Sequence, residues 1–293
     1  MGYQSGFINI IGNPNVGKST LMNAFTGEKI SIITHKAQTT RHRILGIVNG
    51  ENFQAVFSDT PGILKPRYKL HESMMSFVNN ALIDADVILY VTDVIETFDK
   101  NKEYLEKIQN TDIPVLLLIN KIDLVDSERL EALAERWTET LPKAEIFPIS
   151  AKENFNIDQV FKRIMELLPE GPAYYPEGEM SDKPERFFVS EAIREKIFLY
   201  YKEDVPYCTE VVIESFKEEE SIIHIHAVIL VSKESQKGII IGKKGLALKK
   251  TATHARQDLE RFFGKKIFLE VFVKVEKNWR DNEKNLRNLG YIE

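Results

Sequence analysis

Phe7-Ile8-Asn9-Ile10-Ile11-Gly12-Asn13-Pro14-Asn15-Val16-Gly17-Lys18-Ser19-Thr20 is the stretch that decides the fold. Phe7–Ile11 is an apolar run and reads as a buried strand. It leads into Gly12–Ser19, which fits G-x-x-x-x-G-K-[ST], and a helix is expected from about Lys18. Glycines let the chain wrap closely around phosphates, and N–H groups at a helix start point at negative charge. Gly12, Asn13, Pro14, Asn15, Val16, Gly17, Lys18, Ser19 and Thr20 are therefore the expected phosphate cradle. Lys18 is expected on the β- and γ-phosphates, and the Ser19 hydroxyl on Mg²⁺.

Three further segments follow in the order such a site requires. Asp59-Thr60-Pro61-Gly62 ends a strand. Asp59 is placed to reach Mg²⁺ through water, and the Gly62 N–H to touch the γ-phosphate. Asn120-Lys121-Ile122-Asp123 follows the apolar run Val115–Ile119. A carboxylate at Asp123 accepts from the N1–H and the exocyclic amine of guanine. Adenine lacks that donor pair, so GTP and GDP are the expected nucleotides. The Lys121 stem packs along the base. Ser150-Ala151-Lys152 follows the last strand and closes over the base edge.

Gln38-Thr39-Thr40-Arg41 lies between the first helix and the second strand, where a threonine hydroxyl completes the Mg²⁺ shell. That loop is the natural switch. Thr40 is preferred over Thr39, although the sequence leaves both open. Lys18, Thr40, Asn15 and Gly62 are the candidate catalytic residues. Many GTPases carry a water-orienting Gln after the Asp-x-x-Gly motif, but here the residue is Ile63. Slow intrinsic hydrolysis is the expectation. Asn15 either ligates a monovalent cation such as K⁺, standing in for an arginine finger, or only shapes the loop.

The chain has 293 residues, enough for two domains with a core each. Strands at Phe7–Ile11, 43–49, 53–58, 87–92, 115–120 and 145–149 alternate mostly with helices, which indicates a doubly wound α/β domain over 1–170. Gly50-Glu51-Asn52 implies an antiparallel hairpin at one sheet edge. Residues 171–184, rich in Pro and Gly, read as a linker. After it, helix 185–203, strands 207–216 and 221–231, helices 235–241 and 246–263 and strand 266–275 give the order α-β-β-α-α-β. The second domain is thus expected over 185–293, with a C-terminal tail.

Charge separates the two parts. Residues 1–182 hold 18 Lys and Arg against 26 Asp and Glu, whereas 233–287 hold 15 against 7. A polyanion is the plausible partner of the basic part, a solvated basic face the alternative. No apolar run approaches the ~20 residues that span a bilayer. The start has no basic n-region, so no secretory signal is expected. The single cysteine, Cys208, excludes an intrachain disulfide and suits a reducing cytoplasm.

Ile240-Ile241-Gly242-Lys243-Lys244-Gly245 joins two helices, with Lys237, Lys249 and Lys250 beside it. A G-x-x-G turn alone is a weak signal. In this order and charge setting it matches the second KH topology, whose loop clamps the backbone of about four nucleotides. Ile241, Gly242, Lys243, Lys244, Gly245, Lys249 and Lys250 are the candidate RNA-binding residues. His224 and His226 share a strand face without a third ligand and read as structural. Trp279-Arg280 is either an RNA-stacking contact or a hydrophobic anchor for the tail.

Taken together, Gly12–Ser19, Lys36–Arg41, Asp59–Gly62, Asn120–Asp123, Glu191–Lys196, Ile241–Gly245 and Leu289-Gly290-Tyr291 resemble the Era-like family of bacterial P-loop GTPases. The resemblance covers essentially the whole chain. It implies a Ras-like domain followed by a type II KH domain, binding to the 3′ end of 16S rRNA, and assistance in small (30S) ribosomal subunit maturation. It further implies a cytoplasmic monomer, without an obligate protein partner, that associates peripherally with the inner face of the membrane. A related GTPase acting on a protein or tRNA, with the second domain as adaptor, is the alternative.

Overall fold

The computed structural model describes residues 2–96 and 101–292. The chain divides into two compact units, one of residues 1–66 and 71–182, the other of 67–70 and 183–293.

In the first unit, β1 (Gln4–Gly12), β2 (Ile44–Gly50), β3 (Phe53–Asp59), β4 (Val87–Asp93), β5 (Val115–Asn120) and β6 (Glu145–Pro148) form one sheet in the order β2-β3-β1-β4-β5-β6. Only the β2–β3 pairing is antiparallel, closed by the turn after Gly50. β4 and β5 are buried along their whole length. Continuous apolar runs are what strands covered on both faces require. The helices are α1 (Lys18–Thr26), α2 (Lys69–Ile83), α3 (Lys102–Gln109), α4 (Ser127–Thr140) and α5 (Ile157–Leu167). α1 buries Leu21, Met22 and Phe25, and the Phe25 ring stacks on Phe57 at 4.7 Å.

The segment expected as a linker is tied down over much of its length within this unit. Gln54 accepts from the Tyr174 and Tyr175 N–H groups and donates to the Tyr175 carbonyl. Further along, Ile47 N donates to the Met180 carbonyl, Leu45 N to Asp182 Oδ1, and Ser181 Oγ to the Leu45 carbonyl. These bonds satisfy backbone groups of the edge strand β2, which would otherwise need water.

The second unit contains α6 (Glu185–Tyr200), β7 (Thr209–Glu218), β8 (Ile222–Val231), α7 (Glu234–Ile241), α8 (Leu246–Phe263), β9 (Lys266–Val275) and α9 (Glu283–Asn288). β7 pairs antiparallel with β8, and β8 pairs parallel with β9 across the α7–α8 crossover. Val189, Ile193 and Ile197 of α6 recur at helical spacing and pack with Ile223, Ile225, Ala227 and Ile229 of β8. Two boundaries differ from expectation. The helix stops at Tyr200, since Tyr201 takes an extended backbone with φ −101° and ψ 150°. Pro206–Cys208 forms a 3₁₀ turn before β7, so buried Cys208 sits in a turn rather than in a strand.

Candidate nucleotide site and basic loop

The carboxyl ends of β1, β3, β4 and β5 open to one end of the sheet, where ligands of open α/β sheets bind. A cavity of about 710 Å³ lies there, lined by residues of the Gly12–Thr20 loop, the Ile32–Thr40 loop, Gly62, Asn120–Leu124 and Ser150–Lys152. The four motifs thus converge on one space.

Glycine is required at two points of the cradle. A Cβ at Gly12 would lie 2.1 Å from the Val91 carbonyl oxygen, and one at Gly17, with φ 101°, 2.2 Å from Asn120 Nδ2. Gly62 is equally confined, its Cβ position 2.7 Å from Pro14 Cα. Asn15 takes a left-handed φ of 67°. Lys18 Nζ is buried and donates to the Gly12 and Asn13 carbonyls at 3.0 and 2.8 Å. Burial lowers its pKa from 10.5 to about 8, against the pull of Asp59 and Glu96. A dry ammonium aimed into a phosphate-sized space gains a partner when an anion enters.

Ser19, Thr40 and Asp59 meet. Ser19 Oγ donates to Asp59 Oδ2 at 2.7 Å and lies 2.9 Å from Thr40 Oγ1, which donates to the same carboxylate oxygen at 3.3 Å. Thr39 is turned elsewhere, its hydroxyl bonding Thr34 Oγ1 at 2.5 Å and the Lys36 carbonyl at 2.7 Å. Burial raises the Asp59 pKa, while Lys18 and the hydroxyls of Ser19, Ser31 and Thr40 pull it back. Among the described residues, Asp59 Oδ1 is buried without a hydrogen-bond partner. An orphaned carboxylate oxygen beside two hydroxyls is a hard-oxygen donor set, and it fits Mg²⁺.

Thr60 Oγ1 donates to the Ile10 carbonyl at 2.7 Å and anchors the motif to β1. Pro61 and Ile63 are buried. Asn120 ties two loops together, with Nδ2 donating to the Val16 carbonyl at 2.8 Å and Oδ1 accepting from Ala151 N at 2.9 Å. Lys121 Nζ bonds the Asn15 carbonyl and Asp93 Oδ2, both at 2.6 Å. Asp123 is exposed and accepts from Ser150 Oγ at 2.7 Å. Lys152 is exposed and pairs with Glu153.

Sequence reasoning missed Asp93, at the end of β4, whose Oδ1 accepts from the Ile95 and Glu96 N–H groups while Oδ2 holds Lys121. Its position at a strand's carboxyl end was the available signal. Asn101 was missed as well. It donates to Asn13 Oδ1 and the Ile63 carbonyl, at sequence separations that no local pattern reveals.

In the second unit, Gly242 (φ 70°), Lys244 (φ 53°) and Gly245 (φ 75°) turn the chain between α7 and α8. Lys243, Lys244, Lys249 and Lys250 are exposed, and Ile241 is half-buried. Trp279 is fully buried and donates from Nε1 to the Cys208 carbonyl at 3.1 Å, so it anchors the tail. The Tyr291 hydroxyl donates to Glu210 Oε2 at 2.6 Å. Arg194 makes a two-point ion pair with Glu191 inside α6, the nearer contact at 2.5 Å. His224 and His226 contact Phe268 and Phe272, and among the described residues no three His, Cys, Asp or Glu side chains gather to hold a metal.

The fold and site define a P-loop GTPase joined to a KH module. A family model described as a 50S ribosome-binding GTPase matches residues 7–121, and a KH-domain model matches 204–280. GTPase Era of Caldanaerobacter subterraneus subsp. tengcongensis is 46% identical over 99% of both chains. A crystal structure of Era with MgGDPNP and nucleotides 1506–1542 of 16S ribosomal RNA superposes with a TM-score of 0.95, at 39% identity over 99% of this chain and all of the other. A single-substitution variant of Aquifex aeolicus Era bound to GDP·AlF₄⁻ gives 0.93, at the same identity and coverage. This chain belongs to the Era family of GTPases, and it is a GTP hydrolase.

Proposed function

We propose that the protein binds the 3′ region of 16S rRNA under the control of GTP and assists assembly and maturation of the small ribosomal subunit. The observation that carries this is the union, in one chain, of a complete nucleotide site with a basic Gly242–Gly245 loop, over a full-length likeness to a relative that holds a GTP analogue and 16S RNA together. The matching GTPase model is described by the large subunit, but it covers only 7–121. The full-length match weighs more.

Lys18 holds the β- and γ-phosphates, and the Gly12–Thr20 amides cradle them. Ser19, Thr40 and water held by Asp59 bind Mg²⁺, which when bound neutralises phosphate charge. Asp123 reads guanine, Lys121 flanks the base, and Ser150–Lys152 close its edge. Thr40 and Gly62 sense the γ-phosphate, so the loops they end change with hydrolysis. Ile63 is apolar and cannot orient water, so turnover is slow, and Asn15 would hold a K⁺ ion that would supply the missing positive charge. Ile241–Gly245 with Lys249 and Lys250 clamps RNA backbone: the glycines admit phosphates close to N–H groups, and the lysines release counterions.

Residues 185–293 act as the RNA-binding part, 1–170 as the nucleotide part, and 171–184 connect them. The protein acts as a cytoplasmic monomer that touches the inner membrane face peripherally. Support for location and membrane contact is the family resemblance; no described helix is long and apolar enough to cross a membrane. Changing Lys243 and Lys244 to Asp tests the central part. RNA affinity falls at least tenfold with GTP binding intact, and unchanged RNA affinity would leave only the GTPase.

A further inference from the structure

The residue that opens α3 breaks a local rule. Asparagine is a favoured helix N-cap because its side chain accepts from the first free N–H groups. Asn101 stands at the N-cap of α3, with φ 61° and ψ 45°, and its carbonyl accepts from Tyr104 N and Leu105 N at 3.0 and 3.2 Å. Its carboxamide caps no N–H of that helix. The Nδ2 group donates instead to Asn13 Oδ1 in the phosphate loop and to the Ile63 carbonyl at 3.4 Å. A backbone carbonyl can only accept, so the amine end of Asn101 is the end that faces both oxygens. Giving up a cap for contacts distant in sequence is what a functional site does.

The chain around Ile63 is held from both sides. Ile63 N donates to the Gly12 carbonyl at 3.2 Å, while its own carbonyl accepts from Asn101. Just before it, Gly62 lies against Pro14. Asn13 and Ile63 are both buried, so water is a poor substitute for the Asn101 amide. Asn101 itself is not part of the cavity wall, whereas Pro14 and Gly62 are.

We propose that Asn101 is a positioning residue for GTP hydrolysis: by holding the Ile63 carbonyl beside the phosphate loop, it fixes the peptide that presents the Gly62 N–H to the γ-phosphate. The inference rests on the reading of Gly62 as the γ-phosphate contact. Ile63 offers no side-chain group to the attacking water, so the reacting geometry depends on the backbone of residues 62 and 63. Misplacing such a group by about 1 Å costs up to about a hundredfold in rate. Asn101 acts through Ile63 and Asn13, so its loss moves the rate more than it moves nucleotide affinity.

The test pairs single-turnover GTP hydrolysis with GTP-analogue and GDP affinities, on the full chain with Mg²⁺. Asn101→Gly deletes the amide and suits the left-handed backbone. Asn101→Asp keeps the shape but sets a carboxylate, which only accepts, against two acceptors. Both variants slow hydrolysis about ten- to a hundredfold and keep GDP affinity within about twofold. In amide exchange of the GTP-analogue complex, Ile63 loses protection in both. Thermal melts accompany each variant, and should Asn101→Gly fail to fold, Asn101→Asp decides. Hydrolysis within about twofold of wild type in every folded variant overturns the proposal. So does a loss of GDP affinity as large as the loss of rate, which marks general damage to the site. The wild type checks the Gly62 reading separately: its Gly62 amide exchanges more slowly when the GTP analogue replaces GDP. Without that slowing, the γ-phosphate reading fails and this inference with it. With that slowing but unchanged hydrolysis in the variants, only the role of Asn101 has failed.

Discussion

Asn120 is 2% exposed and supplies both atoms that tie the phosphate loop to the Ser150–Lys152 loop. Asn120→Ala removes both bonds and leaves the Val16 carbonyl and the Ala151 N–H dry. A buried backbone group without a partner costs about 1–3 kcal/mol, so the pair costs roughly 2–6 kcal/mol. That loss appears without nucleotide, because the tie is internal to the protein. Asn120→Asp separates the two bonds. Its carboxylate still accepts from Ala151 N, while it repels the Val16 carbonyl. Amide hydrogen exchange of the nucleotide-free protein resolves the difference at Ala151. In Asn120→Ala, Ala151 protection falls by about ten- to a hundredfold, whereas in Asn120→Asp it is retained. Both variants lose GDP affinity, Asn120→Ala by about a hundredfold, as the cradle and the base loop come apart. Equal Ala151 protection in wild type and Asn120→Ala would refute the tie and leave Asn120 a role only through direct nucleotide contact.

Other outcomes follow from the same geometry. The folded-state pKa of Lys18, about 8, lies below its ordinary 10.5, so the unfolded chain binds more protons between those values. Stability of the nucleotide-free first unit therefore rises between pH 8 and 10.5, by about 3 kcal/mol in full. Lys18→Met flattens that rise in urea melts, and a persisting rise assigns it to another group. Trp279→Ala empties a fully buried site and costs about 3–5 kcal/mol, seen as a fall in the melting temperature of the second unit. Trp279→Phe costs less but strands the Cys208 carbonyl, and equal melting of both variants and wild type would deny the anchor. Turnover is several-fold faster in K⁺ than in Na⁺, and Asn15→Ala removes the difference. Equal rates in the two salts leave Asn15 as a loop-shaping residue whose carbonyl holds Lys121.

Much of the architecture was legible because the chain states it locally. Val115–Asn120 and Lys266–Val275 fall where their apolar patterns predict, and Gly245 and Gly264 bracket α8 with left-handed φ values. Motif residues sit at strand ends, so finding the strands located the site. What escaped is held by contacts distant in sequence. Prolines and glycines in 171–184 signal a connector, but not that the Gln54 side chain and β2 fasten its backbone. Asp93 and Asn101 belong to no pattern and matter only because Lys121, Asn13 and Ile63 come to them. Thr40 aims its hydroxyl at Asp59 and Thr39 aims its own at the Lys36 carbonyl, a difference that adjacent identical residues cannot express.

Crosslinking the protein to total cellular RNA in its GTP- and GDP-loaded states, with the contacted nucleotides mapped, tests the central claim most directly. A GTP-dependent concentration of contacts at the 3′ end of the small-subunit RNA, carried on peptides that include Gly242–Lys250, is the predicted result. Contacts scattered over all RNAs, or equal in the two nucleotide states, would contradict a GTP-controlled grip on that RNA.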